Sequence, residues 1–220
     1  MSQEDIALDE KRVFGETRAE TVAYVGSDVG LTRVTVSGDR VGRFALEHRE
    51  AVRDVAGADG RLLVATGEDV LVGTNEGFEP TGFGPAVAVG LDAGTPLAAG
   101  ADGTVARLVG DDWEPLGDAG DVRAIDGRYL ATAGGVLAVT DTGLESRGLA
   151  DVTDVAAAGP YAATADGLYA EDGAWVAELE GPFEVVAADA DRAHAVGADH
   201  WVRRDGEWET STVPTADRVV

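Results

Sequence analysis

Short apolar segments separated by turn residues run through most of the chain. Residues 52–80 show the pattern clearly, with apolar segments at 52–56, 61–66, 70–73 and 78–80 divided by Gly-, Asp- and Asn-containing turns. The same arrangement returns at 122–125, 128–132, 136–140 and 144–147. Segments of this length between such turns are typical of β-strands, and no window shows the 3.6-residue period of an amphipathic helix. The pattern predicts an all-β chain.

Two features recur with a common spacing, which indicates an internal repeat. In the first, a strand ends in small residues, the chain turns at an Asp or Gly, and the next strand begins. The turn positions are Asp28, Asp69, Asp102, Gly135, Asp166 and Asp199. In the second, an apolar residue follows a turn directly, at intervals of 31 to 35 residues, at Phe78, Trp113, Leu144, Trp175 and Trp208. Two independent features with one period are typical of repeat architectures.

Six repeats of about four strands each predict a small closed β-propeller with six four-stranded blades; five or seven blades are the alternatives. We place the repeats at 1–51, 52–85, 86–121, 122–151, 152–181 and 182–212, within one domain that spans residues 1–220. A β-solenoid, the main rival, has shorter coils and lacks hairpin-like Asp-Gly turns. We expect the small residues of each second strand to let neighbouring sheets approach closely, and the aromatic residues to fill the wider outer rim.

The first repeat is longer than the others and leaves open how the ring closes. Propellers often close by pairing a strand from one terminus into the blade at the other. We therefore expect either Lys11–Phe14 or Asp217–Val220 to supply the innermost strand of the first blade.

The charge of the chain indicates its environment. It has 41 Asp and Glu against 17 Lys and Arg, a formal net charge of −24, and Lys11 is its single lysine. Self-repulsion of this size destabilises a compact state at ordinary ionic strength, whereas in molar salt the screening length falls to about 3 Å. The composition therefore predicts a protein of the salt-rich cytoplasm of a halophile.

The composition also excludes several classes of function. A nucleic-acid site needs a basic patch, and the arginines here are spread singly. The absence of cysteine excludes disulfides, thiolate metal sites and cysteine nucleophiles. No segment approaches the ~18 apolar residues of a membrane span, and the acidic N-terminus lacks the apolar core of a signal peptide. We expect a cytoplasmic, monomeric protein with no cofactor and no nucleic-acid or membrane partner.

The sequence pattern from Val52 to Val70 recurs in degenerate copies as far as Trp208. Over nearly the whole chain, this pattern resembles that of a haloarchaeal family of short, acidic, uncharacterised β-propeller proteins. The Asp-Gly-x-Trp turns at 172–175 and 205–208 are also similar to the Asp-box turns of sialidase-like propellers, although the Ser-x-Asp opening and the Gly-x-Thr spacing are missing. The family resemblance implies a six-repeat propeller and no mechanism.

The turn aspartates are candidate binding residues. Asp28, Asp69, Asp102, Asp166 and Asp199 fall at equivalent turns between second and third strands, on the face where propellers usually bind ligands. Five carboxylates in a ring suit a cation or a basic peptide, although Asp-Gly is also a favoured hairpin turn in any acidic protein. The longest connection between repeats, Thr81–Ala86, is expected on the same face, where it exposes Phe83 as an apolar anchor.

A second candidate set lies where the innermost strands begin: Arg53, Asp54, Arg123, Asp154 and Glu184. We expect these side chains at the mouth of the central channel, either lining a pocket for a polar small molecule or forming ion pairs on a solvated rim. His194 and His200 share the last repeat, but no set of ligating residues recurs at the repeat spacing, so we expect no metal site. No Gly-x-Ser-x-Gly elbow or helix-capping phosphate loop is present.

These observations favour a non-catalytic interaction or ligand-binding propeller that presents one loop face to a protein partner. The alternatives are an enzyme, a hydrolase or lyase with its site at the axis, and a small-molecule sensor.

Overall fold

The computed structural model describes residues 21–38 and 40–212, which form 23 β-strands in six antiparallel sheets. The first sheet has three strands within these residues, and each of the other five has four. The sheets are the blades of a six-bladed β-propeller, so the predicted fold class and blade number are confirmed. The described residues contain no helix, and hence none of the length and apolarity needed to cross a membrane.

Successive strands within each blade pair as antiparallel neighbours. The strands of the first three blades are β1 (Thr21–Ser27), β2 (Gly30–Ser37), β3 (Arg40–His48); β4 (Val52–Ala58), β5 (Arg61–Thr66), β6 (Val70–Thr74), β7 (Gly77–Pro80); and β8 (Ala88–Asp92), β9 (Thr95–Ala99), β10 (Thr104–Val109), β11 (Asp112–Asp118). The strands of the last three blades are β12 (Val122–Asp126), β13 (Tyr129–Thr132), β14 (Gly135–Thr140), β15 (Gly143–Gly148); β16 (Val152–Ala156), β17 (Tyr161–Thr164), β18 (Gly167–Glu171), β19 (Trp175–Glu180); and β20 (Phe183–Ala188), β21 (Ala193–Gly197), β22 (His200–Arg204), β23 (Glu207–Thr210).

The apolar core is divided into five clusters, and each lies between two successive blades. Between the third and fourth blades, for example, Leu97 and Val105 pack with Val122 and Leu130. Full burial of one such side chain contributes about 2 kcal/mol. Small residues of the second strands, among them Ala65, Ala99, Ala131 and Ala163, are completely buried, which confirms their predicted role in close sheet packing.

A recurring hydrogen bond explains why small residues followed by Asp or Gly recur at the turns between second and third strands. The hydroxyl of a Ser or Thr at the end of a second strand donates to the carbonyl three residues later, which closes the turn into the third strand. The pairs are Ser27–Gly30, Thr66–Asp69, Thr132–Gly135 and Thr164–Gly167, at 2.7–3.1 Å. Because Ser27 takes part, β1 is the counterpart of the second strand of the other blades.

The five innermost strands β4, β8, β12, β16 and β20 contact one another in chain order, and β1 contacts β4. The sequence predicts that Lys11–Phe14 or Asp217–Val220 forms the innermost strand of the first blade. Both segments lie outside the described residues.

Candidate functional site

All five turn aspartates lie in the predicted turns between second and third strands, at one face of the ring. We call this the loop face; it also carries the connections that lead from one blade into the next. Asp28, Asp102, Asp166 and Asp199 are exposed, whereas Asp69 is half-buried.

Asp69 shapes the longest connection between blades. Its Oδ1 accepts the backbone N–H groups of Val70 at 2.7 Å and Gly84 at 3.1 Å, and its Oδ2 accepts that of Gly82 at 2.9 Å. The two glycines have φ of 78° and 91°, a region that side-chain-bearing residues avoid. The carboxylate therefore fixes the backbone on both sides of Phe83.

The sequence predicted an exposed Phe83, but its side chain is half-buried. Its ring packs edge-on against Trp113 of the third blade, with centroids 4.9 Å apart and planes at 62°. The Trp113 indole N–H donates to Thr81 Oγ1 at 3.2 Å, and the Thr81 hydroxyl donates to the Val70 carbonyl at 2.8 Å. Trp113, which sequence reasoning did not assign to the site, thus supports the Phe83 ring, and Thr81 orients Trp113.

A depression of about 350 Å³ opens beside Phe83 on the loop face. It is lined by Phe83, Pro85, Gly100, Ala101, Asp102 and Thr104. The structure therefore brings two of the predicted binding residues, Phe83 and Asp102, to one concave site between the second and third blades.

Asp102 stays ionised at the rim of this depression. Its carboxylate accepts the Thr104 N–H at 3.1 Å and the Thr104 hydroxyl at 3.1 Å. These two hydrogen bonds lower the pKa of Asp102. The depression combines an apolar wall with a fixed negative charge.

At the start of the innermost strands, a β-bulge turns one side chain toward the next blade. Arg53 Nη1 donates to the Ala86 carbonyl at 3.3 Å, and Arg123 Nη1 donates to the Val152 carbonyl at 3.2 Å. Arg123 also pairs with Asp151 at 2.7 Å. The two arginines therefore connect successive blades. Glu184 occupies the same bulge in the sixth blade and is exposed.

Asp54 and Asp154 connect blades by a second route. In each carboxylate, Oδ1 accepts the next backbone N–H of its own strand and Oδ2 accepts an N–H of the following blade. Asp54 Oδ2 binds Val89 and Asp154 Oδ2 binds Val186, both at 2.9 Å. These hydrogen bonds join residues 35 and 32 positions apart, one repeat along the ring.

The same two aspartates line an axial cavity of about 360 Å³, together with Asp126 and apolar residues of all five described innermost strands. Burial is the main cause that raises the pKa of Asp154 to about 6; the nearby charges of Asp54 and Asp126 act in the same direction, and its two backbone hydrogen bonds oppose it. Burial likewise raises the pKa of Asp54. Of the five residues predicted at the channel mouth, the structure brings Asp54 and Asp154 to the cavity wall.

We expect the wild-type protein to become more stable on mild acidification, and Asp154→Asn to reduce this gain. The folded chain holds the Asp154 proton more tightly than the unfolded chain, so the free energy of unfolding rises as the pH falls through about 6 toward 3.8. Between about pH 7 and pH 5 this gain is about 1 kcal/mol, and the variant lacks it. Urea denaturation at constant molar KCl measures the difference. Asp166→Asn, at an exposed turn, is the control; identical pH profiles for wild type and Asp154→Asn would contradict the assignment.

The two histidines of the last repeat are in contact. His194 Nδ1 and His200 Nε2 are 3.0 Å apart, and the rings are nearly parallel. Within residues 21–38 and 40–212, no three His, Asp or Glu side chains are grouped so as to hold a metal ion.

Six antiparallel blades around an axis, with shaped loops at one face, define the β-propeller class, whose fold is that of a general interaction scaffold. Within this class the HVO_0234-like beta-propeller family model matches residues 7–220. The chain belongs to this family, which confirms the resemblance to a haloarchaeal propeller family. No curated protein matches the sequence.

Several solved structures share the fold at low sequence identity. The extracellular domain of the putative hybrid two-component system BT4673 from B. thetaiotaomicron aligns with a TM-score of 0.66 and 14% identity, over 91% of this chain and 33% of its own. The Neurospora crassa Pan2 WD40 domain aligns with a TM-score of 0.64 and 12% identity, over 90% and 78%. The computationally designed Ika8 protein aligns with a TM-score of 0.59 and 15% identity, over 88% and 73%. The chain spans about a third of the length of the BT4673 domain, and the likeness shows the fold alone.

Proposed function

We propose that this propeller is a non-catalytic interaction module of a halophile's cytoplasm, and that it binds a protein partner at the loop face. The observation that carries the proposal is the depression beside Phe83 and Asp102. An apolar wall beside an aromatic side chain and a carboxylate suits a side chain of a protein partner.

Contacts within the chain support the wall of the depression. Asp69 fixes the backbone around Phe83, and Trp113 fixes the ring. Pre-organised loops lose little conformational entropy on binding, and an aromatic anchor beside a pocket is the usual centre of binding energy.

The chemistry of the site selects the partner. The wall formed by Phe83 and Pro85 suits an apolar side chain, and the ionised Asp102 suits a neighbouring Lys or Arg. In molar salt a charge pair across an exposed rim contributes little, so apolar contact supplies most of the affinity. The partner we propose is a protein segment with a large apolar residue next to a basic one.

Variants of the loop face test this proposal with an array of peptides probed in about 2 M KCl. We expect bound peptides to pair an apolar with a basic residue, and Phe83→Ser to reduce their binding at least about tenfold. Ala101→Asp, at an exposed lining position, places a charge beside the apolar wall without touching the core and should also reduce binding. Because the charge pair contributes little in molar salt, Asp102→Asn should reduce only a small preference for basic residues and should affect binding much less than Phe83→Ser.

Val109→Ser is the matched control, since Val109 is 46% exposed and lies at the opposite end of the third blade. Binding that survives Phe83→Ser and Ala101→Asp but is lost with Val109→Ser would place the partner on the opposite face.

The axial cavity supports a second candidate function, an enzyme of hydrolase or lyase type. The supporting observation is the raised pKa of Asp154, which gives a carboxyl that exchanges its proton near neutral pH. Both of its oxygens already accept backbone N–H groups, however, so the interaction module is the better supported function. A ligand bound in the axial cavity of crystals soaked with small carboxylic esters or polyols would favour the enzyme.

A further inference from the structure

Two contacts of the same kind join the last three blades. Tyr129 and Tyr161 each lie three residues before the end of a second strand, β13 or β17. The Tyr129 hydroxyl donates to Glu171 Oε2 at 3.1 Å, and Arg203 Nη1 donates to the Tyr161 hydroxyl at 2.5 Å. At both junctions, a charged side chain of the next blade therefore meets the tyrosine hydroxyl.

Tyr24 occupies the same position in the first blade, three residues before the end of β1. The residue of the second blade that corresponds to Glu171 and Arg203 is Gly73, because each of the three lies opposite the aromatic residue that follows the next turn. Gly73 has no side chain to meet the Tyr24 hydroxyl. Tyr24 is accordingly 38% exposed, whereas Tyr161 is 4% exposed.

A cavity of about 710 Å³ opens at this place, on the face opposite the loop face. Tyr24 and Gly73 line it together with Arg33, which lies directly opposite Tyr24 on the neighbouring strand. The equivalents of Arg33 in the fourth and fifth blades are Ala138 and Ala170. Arg33 is half-buried, and among the described residues it takes part in none of the ion pairs. The cavity therefore holds a hydroxyl and a guanidinium, and its size is typical of a small-molecule site.

The junction between the fourth and fifth blades shows what such a pair of groups can bind. There the Glu171 carboxylate accepts a hydrogen bond from Tyr129 and pairs with the guanidinium of Arg147. The cavity between the first and second blades has the same two kinds of donor, with Gly73 in place of the glutamate. Charge-assisted hydrogen bonds to a carboxylate are stronger than those to a neutral acceptor. A carboxylate supplied by a ligand is therefore the group that suits Arg33 and the tyrosine.

The remaining walls of the cavity define the rest of the ligand. Leu62 and Phe78 contribute apolar surface, and Glu47 and Glu76 contribute two exposed carboxylates. These carboxylates and the net charge of −24 repel a simple anion, whereas they attract an ammonium group on the same ligand. The walls thus match a molecule with a carboxylate, an ammonium group and an apolar part.

We propose that the cavity between the first and second blades binds a small zwitterionic carboxylate of the amino-acid class. The ligand carboxylate is held by Arg33 and Tyr24, as the chain's own Glu171 is held at the fourth-to-fifth junction. The ammonium group faces Glu47 and Glu76, and the apolar part lies against the apolar wall. The site is on the face opposite the loop face, so the proposal stands independently of the protein partner proposed there.

Three matched probes test the ligand class by isothermal titration calorimetry in about 2 M KCl, which screens the general attraction of cations to the protein. L-leucine carries all three groups, L-leucinamide lacks the carboxylate, and N-acetyl-L-leucine lacks the ammonium group. We expect L-leucine to bind at least about tenfold more tightly than L-leucinamide, because the amide leaves half-buried Arg33 without an anion. It should bind about threefold more tightly than N-acetyl-L-leucine, since the two glutamates are exposed.

Three results of the titrations would overturn the proposal. One is the absence of L-leucine binding, and another is equal binding of L-leucinamide. The third is equal or tighter binding of N-acetyl-L-leucine, which would indicate the carboxyl end of a polypeptide rather than a free amino acid.

Substitution of the two donors locates the site. Arg33→Gln should weaken L-leucine binding at least about tenfold, and Tyr24→Phe should weaken it about threefold, because each removes a hydrogen bond to the carboxylate. Arg128→Gln is the matched control, since Arg128 is an exposed arginine of the fourth blade and does not line this cavity. Equal losses for Arg33→Gln and Arg128→Gln would overturn the proposal.

Gly73→Glu gives an independent measurement, because it supplies the carboxylate from the chain itself. A Cβ at Gly73 would stand 3.4 Å from its nearest neighbour, Leu62 Cβ, which is ordinary contact. The variant should bind L-leucine at least about tenfold more weakly and should melt at least about 2 °C higher than wild type. In an Arg33→Gln background the gain in melting temperature should be smaller. Unchanged L-leucine binding, or the same gain in both backgrounds, would overturn the proposal.

Discussion

The melting temperature of this protein is expected to rise by more than about 10 °C when KCl increases from about 0.1 M to about 3 M. The reason is the net charge of −24 on a 220-residue chain. At low salt the like charges repel over about 10 Å, which spans the distance between neighbouring blades, whereas at high salt the repulsion is confined to adjacent groups.

Ion pairs within the fold do not compensate for the excess of negative charge. Among the described residues, six carboxylates lie within 4.0 Å of a basic group. Even complete pairing of all 17 basic residues would leave the net charge unchanged at −24. We therefore expect the folded state to depend on salt for screening.

Thermal melting followed by circular dichroism measures this dependence, and two controls separate screening from other effects. Sucrose, which strengthens burial without screening charge, should raise the melting temperature equally for wild type and variants. Replacement of three exposed carboxylates (Asp28→Asn, Glu184→Gln and Asp199→Asn) should lower the KCl concentration needed for a given melting temperature. A melting temperature that stays flat or falls with KCl would contradict the halophilic reading of the composition.

The repeat pattern predicted the blades because propeller folding is local in sequence. Each blade is four successive strands joined by short turns, so the apolar periodicity and the turn residues locate the elements without long-range information. The predicted segments of the second blade, for instance, match β4 to β7 within a few residues. The turn aspartates were placed correctly for the same reason.

The contacts between blades could not be read from residue types. Asp54 and Asp154 look like solvated carboxylates in the sequence, but their partners are backbone N–H groups one repeat away, which carry no residue identity. A signal was nevertheless present, since Asp-Val occurs in the same register at 54–55 and 154–155. Phe83 was expected to be exposed because its loop alone was considered; Trp113, 30 residues later, covers one edge of its ring.

A large effect of a single substitution is expected at Gly135, the position where the sequence pattern has Gly in place of the turn Asp. Gly135 begins β14 with φ of 125°, a conformation that costs a side-chain-bearing residue about 1–3 kcal/mol. A Cβ there would also stand 2.6 Å from the backbone carbonyl oxygens of Gly148 and Leu149, which cannot move aside without disrupting the outermost strand. We expect Gly135→Ala to lower the free energy of unfolding by about 4 kcal/mol or more.

Gly77→Ala separates the two causes of this loss. Gly77 has nearly the same φ, 133°, but a Cβ there would meet no atom within 4 Å. The control variant therefore carries the backbone strain without the clash and should lose about 1–3 kcal/mol in urea denaturation at molar KCl. A loss at Gly77 equal to that at Gly135 would show that strain alone governs these turns. A larger loss at Gly135 would show that close approach of the outermost strand to the start of the third strand is what requires Gly at this position.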